Sequence, residues 1–187
     1  MKVLTVGGGA REHAIAAALK RSGATLFSCM KNRNPGIARL SEEFALVSET
    51  DVASVVKYAK SRKVELVVIG PEAPLEAGLS DALRGEGIGV VGPSQAAGRI
   101  ETSKEFMRGL MERKNLPGRI RHLSTKSMDD VSEWLDRFGL DVVVKPSGLT
   151  GGKGAKIFGE HLTSADDVKK YCQEIIDGKR DSSGTVL

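Results

Sequence analysis

Aromatic residues are scarce, at 4% of the 187 positions, with one Trp, two Tyr and five Phe. No stretch resembles an aromatic-studded RNA platform or a polybasic tail, which argues against nucleic acid as a partner. Cysteine is scarcer still: Cys29 and Cys172 stand alone, without metal-type spacing. Both are expected in the core of a protein kept in a reducing cytoplasm. No apolar run approaches membrane-spanning length, and there is no internal repeat or low-complexity tract. What is present is the balance of a globular chain, 40% hydrophobic and 28% charged. The net charge of +4 comes from basic residues spread along the chain, a pattern suited to small phosphate-bearing molecules. Met1-Lys2-Val3-Leu4 runs straight into a strand and a glycine loop, so no targeting peptide is expected before the fold.

The first hundred residues alternate strand and helix signals. Short apolar runs lie at Val3–Val6, Leu26–Cys29, Phe44–Val47, Leu66–Ile69 and Gly89–Val91. Helical spacing appears in Ile15, Ala18 and Leu19, and again in Val52, Val55, Val56 and Ala59, the latter capped by Thr50 or Asp51. This alternation predicts an α/β fold, a parallel sheet covered on both faces by helices. After Gly92-Pro93-Ser94 a helix bearing Phe106, Met107, Leu110 and Met111 is expected, ended by Pro117-Gly118. A small α+β unit should follow. It comprises a strand near Arg119–Leu123 and a helix carrying Val131, Trp134, Leu135 and Phe138, with Ser127 and Asp130 as a capping box. Then come strands at Val142–Lys145 and Ala155–Phe158 and a helix with Val168, Tyr171, Cys172, Ile175 and Ile176. The expected division is 1–100, a connecting helix at 101–118, and 119–187. Thr185-Val186-Leu187 reads either as a strand that a longer fold would continue or as a short frayed end.

Two glycine-rich loops carry the chemistry. Val6-Gly7-Gly8-Gly9-Ala10-Arg11-Glu12-His13 links the first strand to the first helix, where bare amides at a helix N-terminus suit an anion. A dinucleotide fingerprint needs a third glycine where Glu12 stands, and an acid near the second strand's end, where Met30, Lys31, Asn32 and Arg33 lie. The loop therefore favours a phosphorylated ligand over NAD, with a ligand-free tight turn as the other reading; His13 reads as packing or capping. The second loop runs from Val142 through Lys145-Pro146-Ser147-Gly148-Leu149-Thr150-Gly151-Gly152-Lys153-Gly154. Gly154 replaces the Ser or Thr of a Walker A motif, so a strand–loop–strand lid over a polyphosphate fits better, with a flexible hairpin as the alternative. Gly70-Pro71-Glu72-Ala73-Pro74 follows the fourth strand, and Glu72 reads equally as a ligand carboxylate or a solvent-facing turn acid.

Taken in order, these stretches resemble the glycinamide ribonucleotide synthetase family of ATP-grasp ligases. The resemblance rests on Gly7–His13, Asn34-Pro35-Gly36, Ile69–Leu75, Gly92-Pro93-Ser94, Glu101–Phe106 and Lys145–Gly154. It implies a preATP-grasp substrate domain followed by a small ATP-grasp lid subdomain. The implied reaction joins glycine to 5-phosphoribosylamine through a glycyl phosphate in purine biosynthesis. Carried over by motif, Gly8, Gly9, Ala10 and Arg11 lie near the ribose 5-phosphate, with Asn34 and Gly36 adjoining and Pro71 and Glu72 facing the amine. Lys104 and Lys145 reach ATP phosphates, and Gly151, Gly152, Lys153 and Gly154 form the lid. Ala10, Ser147 and Thr150 depart from the usual glycine, acid and alanine. The resemblance further implies ATP with Mg2+, or Mn2+, whose ligands and adenine hinge lie beyond the residues present, with no catalytic or metal-binding residue assigned here. The chain is then expected to be C-terminally truncated, inactive alone, and completed by a C-terminal half that a separate chain could supply. A different ATP-grasp ligase or a non-catalytic phosphate-ligand module are the rival readings.

Overall fold

The computed structural model describes all 187 residues, in two compact units, Met1–Gly98 and Arg99–Leu187. In the first unit the order is β1 (Lys2–Val6), α1 (Ala10–Arg21), β2 (Thr25–Met30), α2 (Pro35–Leu40), β3 (Glu43–Leu46), α3 (Val52–Ser61), β4 (Leu66–Ile69), α4 (Ala73–Glu76), α5 (Leu79–Gly85) and β5 (Gly89–Val91). The five strands pair in parallel in the order β3-β2-β1-β4-β5, with Val6 in register with Cys29 on one side and Ile69 on the other. The order reverses between β1 and β4, so their carboxyl ends open the crevice where such sheets bind ligands.

Period-two alternation divides β1 and β2 between two cores. Leu4, Val6, Phe27 and Cys29 pack with Val55 and Ala59 of α3 and with Leu79 and Leu83 of α5. Leu26 and Met30 turn the other way, onto Ala16 of α1 and Ile37 of α2. On that second face a buried hydroxyl chain joins Thr5 to Ser28 and Ser28 to Ser41, each at 2.8 Å, so no member is orphaned. Asp51 caps α3 by accepting from the Ser54 N–H.

The boundary between units falls within α6 (Gln95–Thr102). The second unit continues with α7 (Lys104–Arg113), α8 (Met128–Phe138), β6 (Val143–Val144), β7 (Lys156–Ile157) and α9 (Ala165–Ile176). β6 and β7 pair antiparallel, and Val144, Val131, Val168, Tyr171, Cys172, Ile175 and Val186 form one core beneath α8 and α9. The helix expected after Ser94 is two helices, because the Ser103 side chain accepts from the Phe106 N–H and starts a new one.

Two expectations fail here. Arg119–Leu123 is not a strand: only Thr125 pairs, antiparallel, with Val186. Ser127 caps α8 without a reciprocal box, since the Asp130 carboxylate accepts from Thr125 Oγ1 instead. Burial pushes the thiols up, Cys29 to about 12 and Cys172 to about 11, which fits inert core residues. Ile175, with no exposed surface, sits at the centre of the second core. Its replacement by Ala should cost about 2–5 kcal/mol, read as a lower urea midpoint by fluorescence of Trp134, the chain's one tryptophan. An unchanged midpoint would contradict the packing.

Candidate functional site

The first site is assembled by three loops at the carboxyl ends of β1, β2 and β4. A cavity of about 340 Å³ there is lined by Gly8, Gly9, Glu12, Lys31, Asn32, Glu49, Pro71, Ala73 and Pro74. Asn34 ties two of the loops. Its Oδ1 accepts from the N–H groups of Gly36 and Ile37, capping α2, while its Nδ2 donates to Gly8 O at 3.0 Å. A Cβ on Gly36 would lie 2.5 Å from the His13 ring, so that glycine exists for packing and His13 is its partner. Pro71 closes on Gly7, whose Cβ would fall 2.8 Å from the proline ring. Arg11 reaches across at 3.5 Å to Glu72, which is one-third exposed.

Glu12 holds this cluster. Its side chain is buried, at 5% exposure. Oε2 accepts from the Gly9 N–H at 2.8 Å and Oε1 from Arg11 Nε–H at 3.1 Å. Three glycines make room for it. A Cβ on Gly7 would lie 2.6 Å from Glu12 Cγ, one on Gly9 2.6 Å from Oε2, and one on Gly70 closer still. Gly7 also needs its φ of +118°, a conformation side chains resist. The glycines thus admit, first of all, an anion belonging to the protein. Hydrogen bonding to Glu12, with Glu72 adding, raises the Arg11 pKa against the lowering effect of burial.

The second site lies in the second unit. Lys104 opens α7, its backbone N–H donating to Ser147 O at 3.1 Å and its ammonium to Gly148 O at 2.6 Å. Ser147 is buried and its Oγ accepts from the Glu105 N–H. The Asp181 carboxylate accepts from the Gly148 N–H at 2.7 Å. Lys145 follows β6 and exchanges backbone hydrogen bonds with Leu187. Burial, then Arg108 and Lys104, pulls the Lys145 ammonium below the ordinary lysine range. Burial also lowers Lys104, opposed by Asp181 and Glu101. Neither lysine has an ion-pair partner, an arrangement that fits a polyphosphate: the cations feel one another, are partly desolvated, and only Lys104 has acids near it.

Gly151 and Gly152, both exposed, turn the loop with φ of +60° and +79°. Lys153 beside them is exposed. Gly154 is buried under the Thr150 side chain, and its carbonyl accepts from the Tyr171 hydroxyl at 2.9 Å, anchoring the loop's far end. No group of three or more His, Cys, Asp or Glu side chains is placed to hold a metal.

Of the expected residues Gly8, Gly9 and Pro71 line the cavity, Ala10, Arg11, Asn34, Gly36 and Glu72 stand on or beside the same three loops, and Lys104 and Lys145 lie near the second loop. Three residues escaped the sequence reading. Glu12 stands where a dinucleotide loop has glycine, but a glutamate three positions after an N-cap also reaches back to cap it, and the Gly9 N–H does donate to Glu12 Oε2. Ser147, read as a departure, staples α7 to the loop; Asp181 had no local signal.

A parallel sheet with a glycine loop at its switch point, followed by a strand–glycine loop–strand lid beside half-buried lysines, defines an ATP-grasp protein. Residues 1–101 match the family model described as phosphoribosylglycinamide synthetase, N domain, and residues 102–186 that of the same synthetase's ATP-grasp (A) domain. The chain belongs to the phosphoribosylglycinamide synthetase family. It is 49% identical over 181 residues to the phosphoribosylamine–glycine ligase of Pyrococcus horikoshii, covering 96% of this chain and 41% of that one. The Methanocaldococcus jannaschii ligase is likewise 49% identical over 185 residues, at 95% and 41% coverage. The chain thus spans about 41% of the length of such relatives. In fold it is similar to the Thermotoga maritima phosphoribosylamine–glycine ligase (TM-score 0.76, 22% identity, 100% of this chain and 42% of that one). It is also similar to the biotin carboxylase domain of Hydrogenobacter thermophilus 2-oxoglutarate carboxylase, solved with MgADP (TM-score 0.77, 17% identity, 100% and 43%).

Gly70→Ala tests the packing around Glu12. The added methyl should destabilise the first unit by roughly 1–3 kcal/mol, seen as a lower melting temperature by circular dichroism. A neutral substitution would contradict it.

Proposed function

We propose that this chain supplies the phosphoribosyl-binding domain and the ATP-covering lid of a phosphoribosylamine–glycine ligase of de novo purine biosynthesis. The observation that carries this reading is the consecutive match of both synthetase domains along the chain. In the reaction the γ-phosphoryl group of ATP passes to a carboxylate oxygen of glycine, releasing ADP. The amine of 5-phosphoribosylamine then attacks the acyl carbon, phosphate leaves, and the nitrogen loses a proton.

In this reading residues 1–100 hold phosphoribosylamine, 101–118 connect, and 119–187 form the lid. The ribose 5-phosphate is received by the free amides of Gly8 and Ala10 with the Arg11 guanidinium, beside the Gly9 turn, Asn34 and Gly36 fixing the loop's edge. Pro71 stiffens the turn that aims Glu72 at the amine. Lys104 and Lys145 meet ATP phosphates and offset the charge that builds up in phosphoryl transfer. Gly151, Gly152, Lys153 and Gly154 close over the nucleotide. Divalent magnesium, or manganese, would be held by residues outside this chain, in a C-terminal part on the same or a separate polypeptide. The chain alone binds ligands without turning them over. No helix is long and apolar enough to cross a membrane, and a cytoplasmic setting without nucleic acid suits these substrates.

Calorimetric titration should show ribose 5-phosphate and ATP binding independently, with no NAD binding. Lys145→Gln should weaken ATP by about tenfold, on the order of 1.4 kcal/mol. In the wild-type chain ATP should move the Lys145 titration back up toward the ordinary lysine range, followed by lysine NMR. Tight NAD binding with no response to ribose 5-phosphate would sink the reading.

A further inference from the structure

An anion bound at this glycine loop meets an anion already there. The Glu12 carboxylate occupies the Gly9 N–H, and its own charge is met by that amide, by Arg11 Nε–H and by the N-terminus of α1. A ligand phosphate is therefore confined to the neighbouring amides and to the part of the guanidinium that Glu12 leaves free. Arg11 has 64% of its side chain exposed. An exposed arginine samples many rotamers, and fixing one of them costs binding free energy each time a ligand arrives. Here the Nε end of the guanidinium is tied to a buried carboxylate that lies against Gly7, Gly9 and Gly70. The other end reaches Glu72.

We infer that Glu12 is a positioning residue of the phosphoribosyl site, acting through Arg11: it holds Nε–H and so directs the terminal N–H groups, one of which reaches Glu72, toward the ligand's phosphate. This rests on the proposed function for the identity of the ligand. The arrangement also accounts for an acid where a dinucleotide loop has glycine. The space a pyrophosphate would need at the helix start holds a side chain whose task is to orient a cation for a single phosphate.

The test is a double-mutant cycle in ribose 5-phosphate affinity with Glu12→Gln, Arg11→Gln and the pair. Each single variant should weaken binding about tenfold, and the pair should match Arg11→Gln alone, because without the guanidinium nothing remains for Glu12 to position. Losses that multiply to about a hundredfold in the pair would mean that Glu12 acts independently, and would overturn the inference while leaving the ligand assignment intact. A wild-type chain that fails to bind ribose 5-phosphate would overturn both. A second measurement needs no variant to fold: the Arg11 Nε–H of the wild-type chain should exchange with solvent more slowly than that of free arginine. Exchange at the free rate would also overturn the inference.

Discussion

The burial of one carboxylate among three glycines is the constraint on which the first site depends. Glu12 lies where β1, α1 and the end of β4 converge, and Gly7, Gly9 and Gly70 are small because it is there. A buried carboxylate without partners would be costly, so the loop must deliver the Gly9 N–H and Arg11 must turn inward. From that follow the direction of Arg11, its approach to Glu72, and the placing of Gly8 against Asn34. The parallel sheet supplies the frame: Val6, Cys29 and Ile69 in register bring three loops to one edge.

The second unit uses glycine differently. A side chain on Gly151 or Gly152 would meet nothing, and both turn with positive φ on an exposed loop. Both flanks of that stretch are fastened. Gly148 is held between Lys104 and Asp181, and Gly154 is fixed by Thr150 and Tyr171. The same residue type therefore packs a charge in one loop and releases a backbone in the other.

Much of this was legible in the sequence. All five strands of the first sheet stood out as short apolar runs, unbroken in the interior strand β4. Asp51 announced its helix through a cap. What failed depended on neighbours distant in sequence. Ile120, Leu123 and their surroundings carry strand-like composition, but a strand exists only if something pairs with it, and Thr125 alone finds a partner. Glu12 was visible as a residue and opaque as a role, since its meaning lies partly in Gly70, 58 positions away, folding over it. Ser147 misled for the same reason: an expected acid was missed, while the buried hydroxyl's bond to the Glu105 N–H could not be foreseen.

A crystal structure of the chain with ribose 5-phosphate bound tests the central claim most directly. The account predicts the phosphate against the Gly8 and Ala10 amides and the outer face of Arg11, with Glu12 still accepting from the Gly9 N–H. A phosphate seated on the Gly9 amide with Glu12 displaced, or a ligand bound away from this crevice, would contradict it.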